Sequence, residues 1–542
     1  MAYAGRVSEP DRRNVRSIAD AWLAAEPDAD IRAELEALID GDPDDLVSRF
    51  TGRLQFGTAG LRAAVGAGPQ RMNRLVVRQA AGGLAQYLLD TDPTATERGV
   101  VVGFDARRKS DVFALDTACV MAAYGIPTRL FDGFVPTPVV AWSVVELGCA
   151  AGVVVTASHN PPADNGYKVF LEDGSQIVAP HDAGISARID HVDPLTVAMR
   201  AADDALITVV GPELFDAYVA SVPVVRRHPD VTGVTVAYTP MHGVGGATLL
   251  RAFAAAGLPE PIVVDEQFEP DGTFPTVSFP NPEEPGAMDL LLAVAARSDA
   301  QLALANDPDA DRLGAAIPQA DGTWRRLGGD EIGWLLADYL LAETEGHDRL
   351  IVTTLVSSSL LGRMADAAGV TAVETFTGFK WIAHEIRNHP GHHFVFGYEQ
   401  ALGYLVTDRP RDKDGITAAV LFAEIAAVAA AQGQTLQHRL DAIADRFGRH
   451  QMADASVRMA PPAAMARVAE LRADPPSSIG GRDVLSVHEY PEATLLRFEL
   501  AGGVRVQVRP SGTEPKVKIY GEAVDADPAP FVEALANLVA QI

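Results

Sequence analysis

Two features of the sequence predict an α/β fold. Short β-branched runs alternate with helical stretches three times in succession, the pattern of strands joined by crossover helices. The last hundred residues then change to consecutive strands joined by short turns, the pattern of an antiparallel α+β domain. At 542 residues and roughly 150 residues per domain, the chain has room for three or four domains.

The elements follow in order. The first fifty residues read as helical, because AWLAAEPDADIRAELEALID carries apolar residues at helical spacing with acids between them. RGVVVGFD from Arg98 is a strand, Phe113 to Tyr124 a helix, PTRLFDG a strand and TPVVAWSVVELG a helix leading into the strand of AAGVVVTASHN. This is the expected parallel layer. A second unit runs from TGVTVAYTPMHGVGGATLLRAFAAAG through EPIVVDEQ and MDLLLAVAAR to QLALANDPD, with a polar hairpin over Ala315 to Leu327. A third contains GDEIGWLLADYLLAE, RLIVTTLVSSSLLGRMADAAG, TAVETF and HHFVFGY. The apolar stretch Ile416 to Ala430, interrupted by Glu424, is too short to cross a bilayer comfortably and is read as a buried amphipathic helix. In the final region DVLSVHEY, ATLLRFEL, VRVQVRPS and KVKIYGEA are strands between two helices.

Composition excludes several classes. With 48% hydrophobic residues the chain is not disordered. Lys+Arg 45 against Asp+Glu 72 gives 45 − 72 = −27, a field that argues against nucleic-acid and anionic-membrane partners. An anionic metabolite therefore needs cations of its own at the site. Two cysteines, Cys119 and Cys149, cannot build a disulfide scaffold. The opening MAYAGRVSEPDRRN lacks the apolar core of a secretory signal, so the expected compartment is the cytoplasm.

Four loops carry candidate chemistry. In TASHNPPADNGYKVF an apolar strand stops at Ser158, and open α/β sheets bind ligands beyond the carboxyl ends of their strands. Ser158 could be a presented nucleophile with Lys168 returning toward it, or the segment could be a Pro-stopped turn. In ANDPDADRLG, Asp307, Asp309 and Asp311 repel one another unless a cation intervenes, which suits a hard divalent ion; a solvated acidic turn is the alternative. Arg312 at the glycine position rules out an EF-hand. FGYEQALGY places Glu399 between glycines, able to accept from adjacent sugar hydroxyls; a loop with a surface glutamate is the alternative. In VRPSGTEPKVKIY, Arg509, Ser511, Gly512 and Thr513 can form a phosphate cradle or a plain hairpin turn. Arg62 in FGTAGLR and Lys380 in TGFK add cations.

Together, and in this order along nearly the whole chain, these loops resemble the α-D-phosphohexomutase superfamily, most closely its phosphoglucomutase-2-type branch. The resemblance implies four domains around a central cleft: residues 1–207 with a helical extension and phosphoserine loop, 208–320 with a metal loop, 321–446 with a sugar loop, and 447–542 with a phosphate loop. It implies Ser158 as the phosphoserine, with Asp307, Asp309, Asp311 and the serine phosphate holding Mg²⁺. Lys168 is the implied general acid/base, with Arg62 in the catalytic neighbourhood; His159 either orients the serine or is a satisfied turn histidine. Arg312, Lys380 and Glu399, with Arg509, Ser511, Gly512 and Thr513, would bind the phosphosugar.

The activity so implied is interconversion of hexose 1- and 6-phosphate, glucose or mannose, with a sugar 1,6-bisphosphate as intermediate and activator. Phosphopentomutase, bisphosphate synthase, a non-catalytic phosphosugar binder and a phosphatase stand as alternatives. One departure bears on the sugar: where many relatives have Glu-x-Ser, this chain has Glu399-Gln400-Ala401 and no hydroxyl.

Overall fold

A computed structural model of the chain describes residues 9–57, 60–511 and 515–541. It comprises two compact units, residues 1–327 with 402–428, and residues 328–401 with 429–542.

The first unit opens with three helices, Glu9–Ala25, Ala29–Asp40 and Pro43–Phe50. Asp42 caps the third, accepting from the Asp44 amide at 2.9 Å, with Pro43 in the first turn. Trp22, Ile31, Leu35 and Phe50 bury their side chains in the same core as the first sheet. That sheet has six strands: β1 (Leu61–Ala64), β2 (Val100–Phe104), β3 (Thr128–Phe131), β4 (Ala151–Val155), β5 (Asp164–Leu171) and β6 (Ile207–Val210). Their order is β1-β5-β4-β2-β3-β6. β2 and β4 are buried throughout, as VVVGF and AGVVV require when helices cover both faces.

The expected parallel layer holds for β4, β2, β3 and β6. β5, a strand outside that expected layer, runs antiparallel to β4 and β1. Residues 156–163 are too few for the crossover of a dozen or more that a parallel return needs, so the chain reverses. The reversal sets Lys168 opposite Val154, beside the end of β4.

The second sheet contains β7 (Val236–Thr239), β8 (Ile262–Val263), β9 (Leu302–Ala305), β10 (Gly314–Pro318) and β11 (Trp324–Arg326), ordered β11-β10-β9-β7-β8. β7, β8 and β9 are parallel; β10 and β11 form the expected hairpin. The apolar stretch near 416–430 is the helix Gly415–Ala431. It is not amphipathic, being buried around its circumference. Glu424 is tolerated inside because its carboxylate accepts from Arg226 Nε at 2.8 Å and the Arg227 amide at 2.7 Å. No single helix among the described residues is long and apolar enough to cross a membrane.

In the second unit, β12 (Arg349–Thr354), β13 (Thr371–Thr375) and β14 (His393–Glu399) are parallel, with β12 central. The chain then re-enters the first unit at β15 (Gly403–Leu405). The C-terminal sheet is antiparallel, as expected. Its strands are β16 (His450–Arg458), β17 (Ser478–Ile479), β18 (Arg482–Tyr490), β19 (Leu495–Leu500), β20 (Val504–Pro510) and β21 (Lys516–Val524), ordered β16-β21-β20-β19-β18-β17. Helices Pro461–Ala473 and Ala529–Ala540 cover Phe498, Val506 and Ile519.

Candidate active site

β4 delivers a strained turn. Ser158 has φ 52°, a left-handed conformation costing a non-glycine residue about 1 kcal/mol or more. Its amide donates to Thr156 Oγ1 at 2.9 Å, and Thr156 donates in turn to Asp105 Oδ2 at 2.6 Å. The buried Ser158 hydroxyl donates to Asp307 Oδ2 at 2.7 Å, and His159 Nδ1 lies 3.2 Å from Ser158 Oγ. Burial, then the charges of Arg312 and Arg62, hold the His159 imidazole well below its usual range, so at neutral pH it carries no charge.

β9 ends at the acidic loop. Asp307, Asp309 and Asp311 are fully buried, and one oxygen of each lies within 4.8 Å of the others. Lys168 Nζ bridges two of them, 2.6 Å from Asp309 Oδ2 and 2.7 Å from Asp311 Oδ2. Lys413 Nζ lies 3.0 Å from Asp311, and Thr137 donates to Asp309 at 2.5 Å. Burial raises every carboxyl here, but the outcomes diverge. Lys168, Lys413 and Arg312 hold Asp311 far below the usual range, and Lys168 also lowers Asp309. Burial and its two carboxylate neighbours push Asp307 well up. Asp309 Oδ1 and Asp311 Oδ1 are buried without a hydrogen-bond partner among the described residues. Three converging carboxylates with unused oxygens fit a hard divalent cation such as Mg²⁺.

Arg62 on β1 pairs with Gly166 on β5. A Cβ at Gly166 would lie 2.8 Å from the Leu61 carbonyl oxygen, so only glycine lets β1 approach this closely. Asp309 and Asp311 are the carboxylates that act on the Arg62 guanidinium. Thr58 and Ala59 of the same motif lie outside the described residues. The Arg312 amide donates to Asp307 Oδ1 at 3.0 Å. Ser158, His159, Lys168, Arg62, Arg312 and the three aspartates are thus brought together within the first unit.

The second unit holds the other candidates. Glu399, at the end of β14, accepts from the Gly378 amide at 3.2 Å. Lys380 opens the helix Phe379–Asn388, its Nζ 5.7 Å from the Trp381 ring centre. The adjoining Gln400 amide donates to Ser357 Oγ at 3.2 Å. Gly329 presses so closely on this turn that its Cβ would lie 1.8 Å from the Gln400 carbonyl oxygen. Arg509, on β20, has a buried Nε with no hydrogen-bond partner among the described residues. The Ser511 amide donates to the Lys516 carbonyl at 2.8 Å. Gly512 and Thr513 lie outside the described residues.

Sequence reasoning missed four groups in the first unit: Asp105, Arg107, Thr137 and Lys413. A signal existed for three of them. Phe104-Asp105-Ala106-Arg107 ends β2, the parallel neighbour of the strand bearing Ser158, so its loop had to abut the serine turn. Lys413 sits in RPRDKDG, a charge cluster before an apolar helix.

A strained buried serine against a carboxylate trio, with cations around it, has the chemistry that metal-assisted phosphoryl transfer needs. The chain belongs to the phosphoglucomutase/phosphomannomutase family: its α/β/α domain I model matches residues 53–195, domain II 215–322, domain III 328–447, and the C-terminal domain 455–533. A probable phosphomannomutase of Haemophilus influenzae is 42% identical over 475 residues, covering 86% of this chain and 96% of that one. A probable phosphoribomutase of Schizosaccharomyces pombe is 36% identical, covering 93% of each. A putative phosphomannomutase of Thermus thermophilus shares the fold, with a TM-score of 0.72 at 24% identity over 90% of this chain and all of the other. The protein is an enzyme, a phosphotransferase-type isomerase acting on phosphosugars.

Proposed function

We propose that the enzyme interconverts the 1- and 6-phosphates of a hexose, glucose or mannose, through phospho-Ser158 and a hexose 1,6-bisphosphate. The observation that carries this reading is the Ser158 hydroxyl, set by a strained turn 2.7 Å from Asp307 within the carboxylate trio.

Phospho-Ser158 gives its phosphoryl group to the free hydroxyl of the sugar monophosphate. The new sugar O–P bond forms as the Ser158 Oγ–P bond breaks, and the hydroxyl proton ends on Ser158 Oγ. Lys168 is the proposed proton carrier, with the neutral His159 orienting Oγ. The bisphosphate then turns over, and its other phosphoryl group passes to Ser158 with the same balance in reverse. Asp307, Asp309 and Asp311, with the serine phosphate, would hold Mg²⁺, which when bound offsets the charge on the transferring group. Arg62 and Arg312 add positive charge on the protein's side. Lys380 and Glu399 are the proposed contacts to the sugar, and Arg509, Ser511, Gly512 and Thr513 those to the phosphate that is not reacting.

A pentose phosphate is the second reading. Ala401 in place of a hydroxyl residue favours keeping it, because sugar choice then leans on Glu399 and fewer polar contacts.

The test is ³¹P NMR with Mg²⁺ and catalytic glucose 1,6-bisphosphate, offering glucose, mannose, ribose and glucosamine 1-phosphates singly. Conversion of glucose or mannose 1-phosphate to the 6-phosphate is expected. Conversion of ribose 1-phosphate alone replaces hexose with pentose, and release of inorganic phosphate alone refutes the mutase reaction.

A further inference from the structure

Arg107 is a buried side chain that the reaction does not use. Its guanidinium donates to four backbone carbonyls of the serine turn: Nη2 to Ser158 at 2.6 Å and Asn160 at 2.5 Å, Nη1 to Pro161 at 2.8 Å and Asp164 at 3.1 Å. Its Nε faces Asp105 Oδ2 at 3.4 Å. That same carboxylate oxygen accepts from Thr156, whose hydroxyl holds the Ser158 amide. The turn is therefore gripped from both ends of residue 158 by one Asp–Arg pair.

The grip is itself braced. Asp105 Oδ1 accepts from the Arg107 amide at 2.9 Å and Ser110 Oγ at 2.7 Å. The Phe274 ring lies 4.9 Å from the Arg107 guanidinium carbon. On the far side, Lys109 pairs with Asp28 and Asp30 of the N-terminal helical extension, each at 2.9 Å. Arg108 pairs with Asp30 as well.

We infer that Arg107 is a positioning residue for phosphoryl transfer: its planar fork holds Ser158 in the left-handed conformation that aims Oγ at Asp307, and the N-terminal extension supports it through Lys109. A lysine in its place has three donors on a compact ammonium and cannot span four carbonyls. Misplacing a reacting atom by about 1 Å costs on the order of 10²-fold in rate. The inference rests on the proposed phosphoserine at Ser158.

The experiment uses the full-length, dephosphorylated enzyme with Mg²⁺ and glucose 1,6-bisphosphate. Phosphoenzyme formation is followed by intact mass, and the site is read by peptide mapping. In this step Ser158 Oγ gains the phosphoryl group, the sugar O–P bond breaks, and the serine proton goes to the sugar oxygen. Arg107→Lys is expected to form phospho-Ser158 roughly 100-fold more slowly, with the concentration of bisphosphate giving half-maximal rate little changed. Millimolar guanidinium is expected to restore part of the rate to Arg107→Ala and none to Ser158→Ala, which a merely structural residue would not show. Should Arg107→Ala fail to fold, Phe274→Leu keeps every hydrogen bond and should slow the step a few-fold.

Wild-type rates in Arg107→Lys and Phe274→Leu overturn the positioning role and leave the phosphoserine reading standing. Phosphate mapped away from Ser158 in the wild type overturns both.

Discussion

Each unit of the molecule buries a cluster of charges, and the two are built on opposite plans. In the second unit Glu522 is fully used: Oε1 accepts from Ser358 Oγ at 2.5 Å, the Ser359 amide at 3.0 Å and His450 Nδ1 at 2.7 Å, while Oε2 faces Arg505 Nε at 2.7 Å. Burial works against this carboxylate, yet His450, Arg505 and Ser358 hold it down to about 2. In the first unit three carboxylates crowd together, one is pushed well up, and two oxygens have no hydrogen-bond partner among the described residues. Both oxygens of Glu522 are paired, as a buried carboxylate that only supports the fold should be. A cluster that leaves buried oxygens unused keeps them for something the chain does not itself supply.

If that contrast is right, substitutions in the first cluster should damage turnover and those in the second should damage stability. The largest effect is expected from Ser158→Ala. Turnover should fall by about 10⁴-fold or more with thermal unfolding unchanged; near-normal activity would remove Ser158 as nucleophile. Asp309→Asn comes next. The Mg²⁺-dependent rate should drop at least about 100-fold, and calorimetric titration should show weakened Mg²⁺ binding. The metal-free melting temperature should barely move, since one of two like charges beside Asp311 is gone while Lys168 keeps Asp311. An unaltered metal response would break the comparison at its first half.

The legible part of the site was the part carried by short segments. Ser158 sits at the end of an apolar strand followed by two prolines, and the aspartates alternate directly after another, so their chemistry could be read locally. The reversal at β5 was also readable in principle from the few residues between two strands. What could not be read were pairings made across the fold. Glu424 looked like the polar face of an amphipathic helix because its partner, Arg226, is 198 residues away. Arg107 is 51 residues from Ser158, and its role exists only because β2 lies beside β4. Lys413 reaches Asp311 only because the chain re-enters the first unit after residue 401.

The second cluster supplies two smaller tests. Glu522→Gln removes the charge facing buried Arg505 and should cost about 3–5 kcal/mol, seen as a lower melting temperature of the transition reporting the second unit. An unshifted transition would mean that the cluster does not hold this unit together.

The smallest effect is a pH dependence at Asp330, whose Oδ1 accepts from the Ser358 amide and the Tyr398 hydroxyl, both at 2.7 Å. Burial pushes this carboxyl up to about 6 from its ordinary 3.8. The folded state therefore holds the proton more tightly than the unfolded chain does. The associated stability is fully present below about pH 4 and is lost as pH rises through about 6, at up to about 2–3 kcal/mol. Glu522 runs the other way, its contribution present above about pH 4.5 and lost as pH falls toward 2. Hydrogen exchange of the peptide spanning Tyr398 and that spanning Ser358 should accordingly speed up between pH 4 and 6, after correction for intrinsic rates. Asp330→Asn, which cannot ionise, should flatten that change. A profile identical to wild type would show that Asp330 titrates as an ordinary carboxylate, and that this part of the second unit tolerates a second buried carboxylate charge near Glu522.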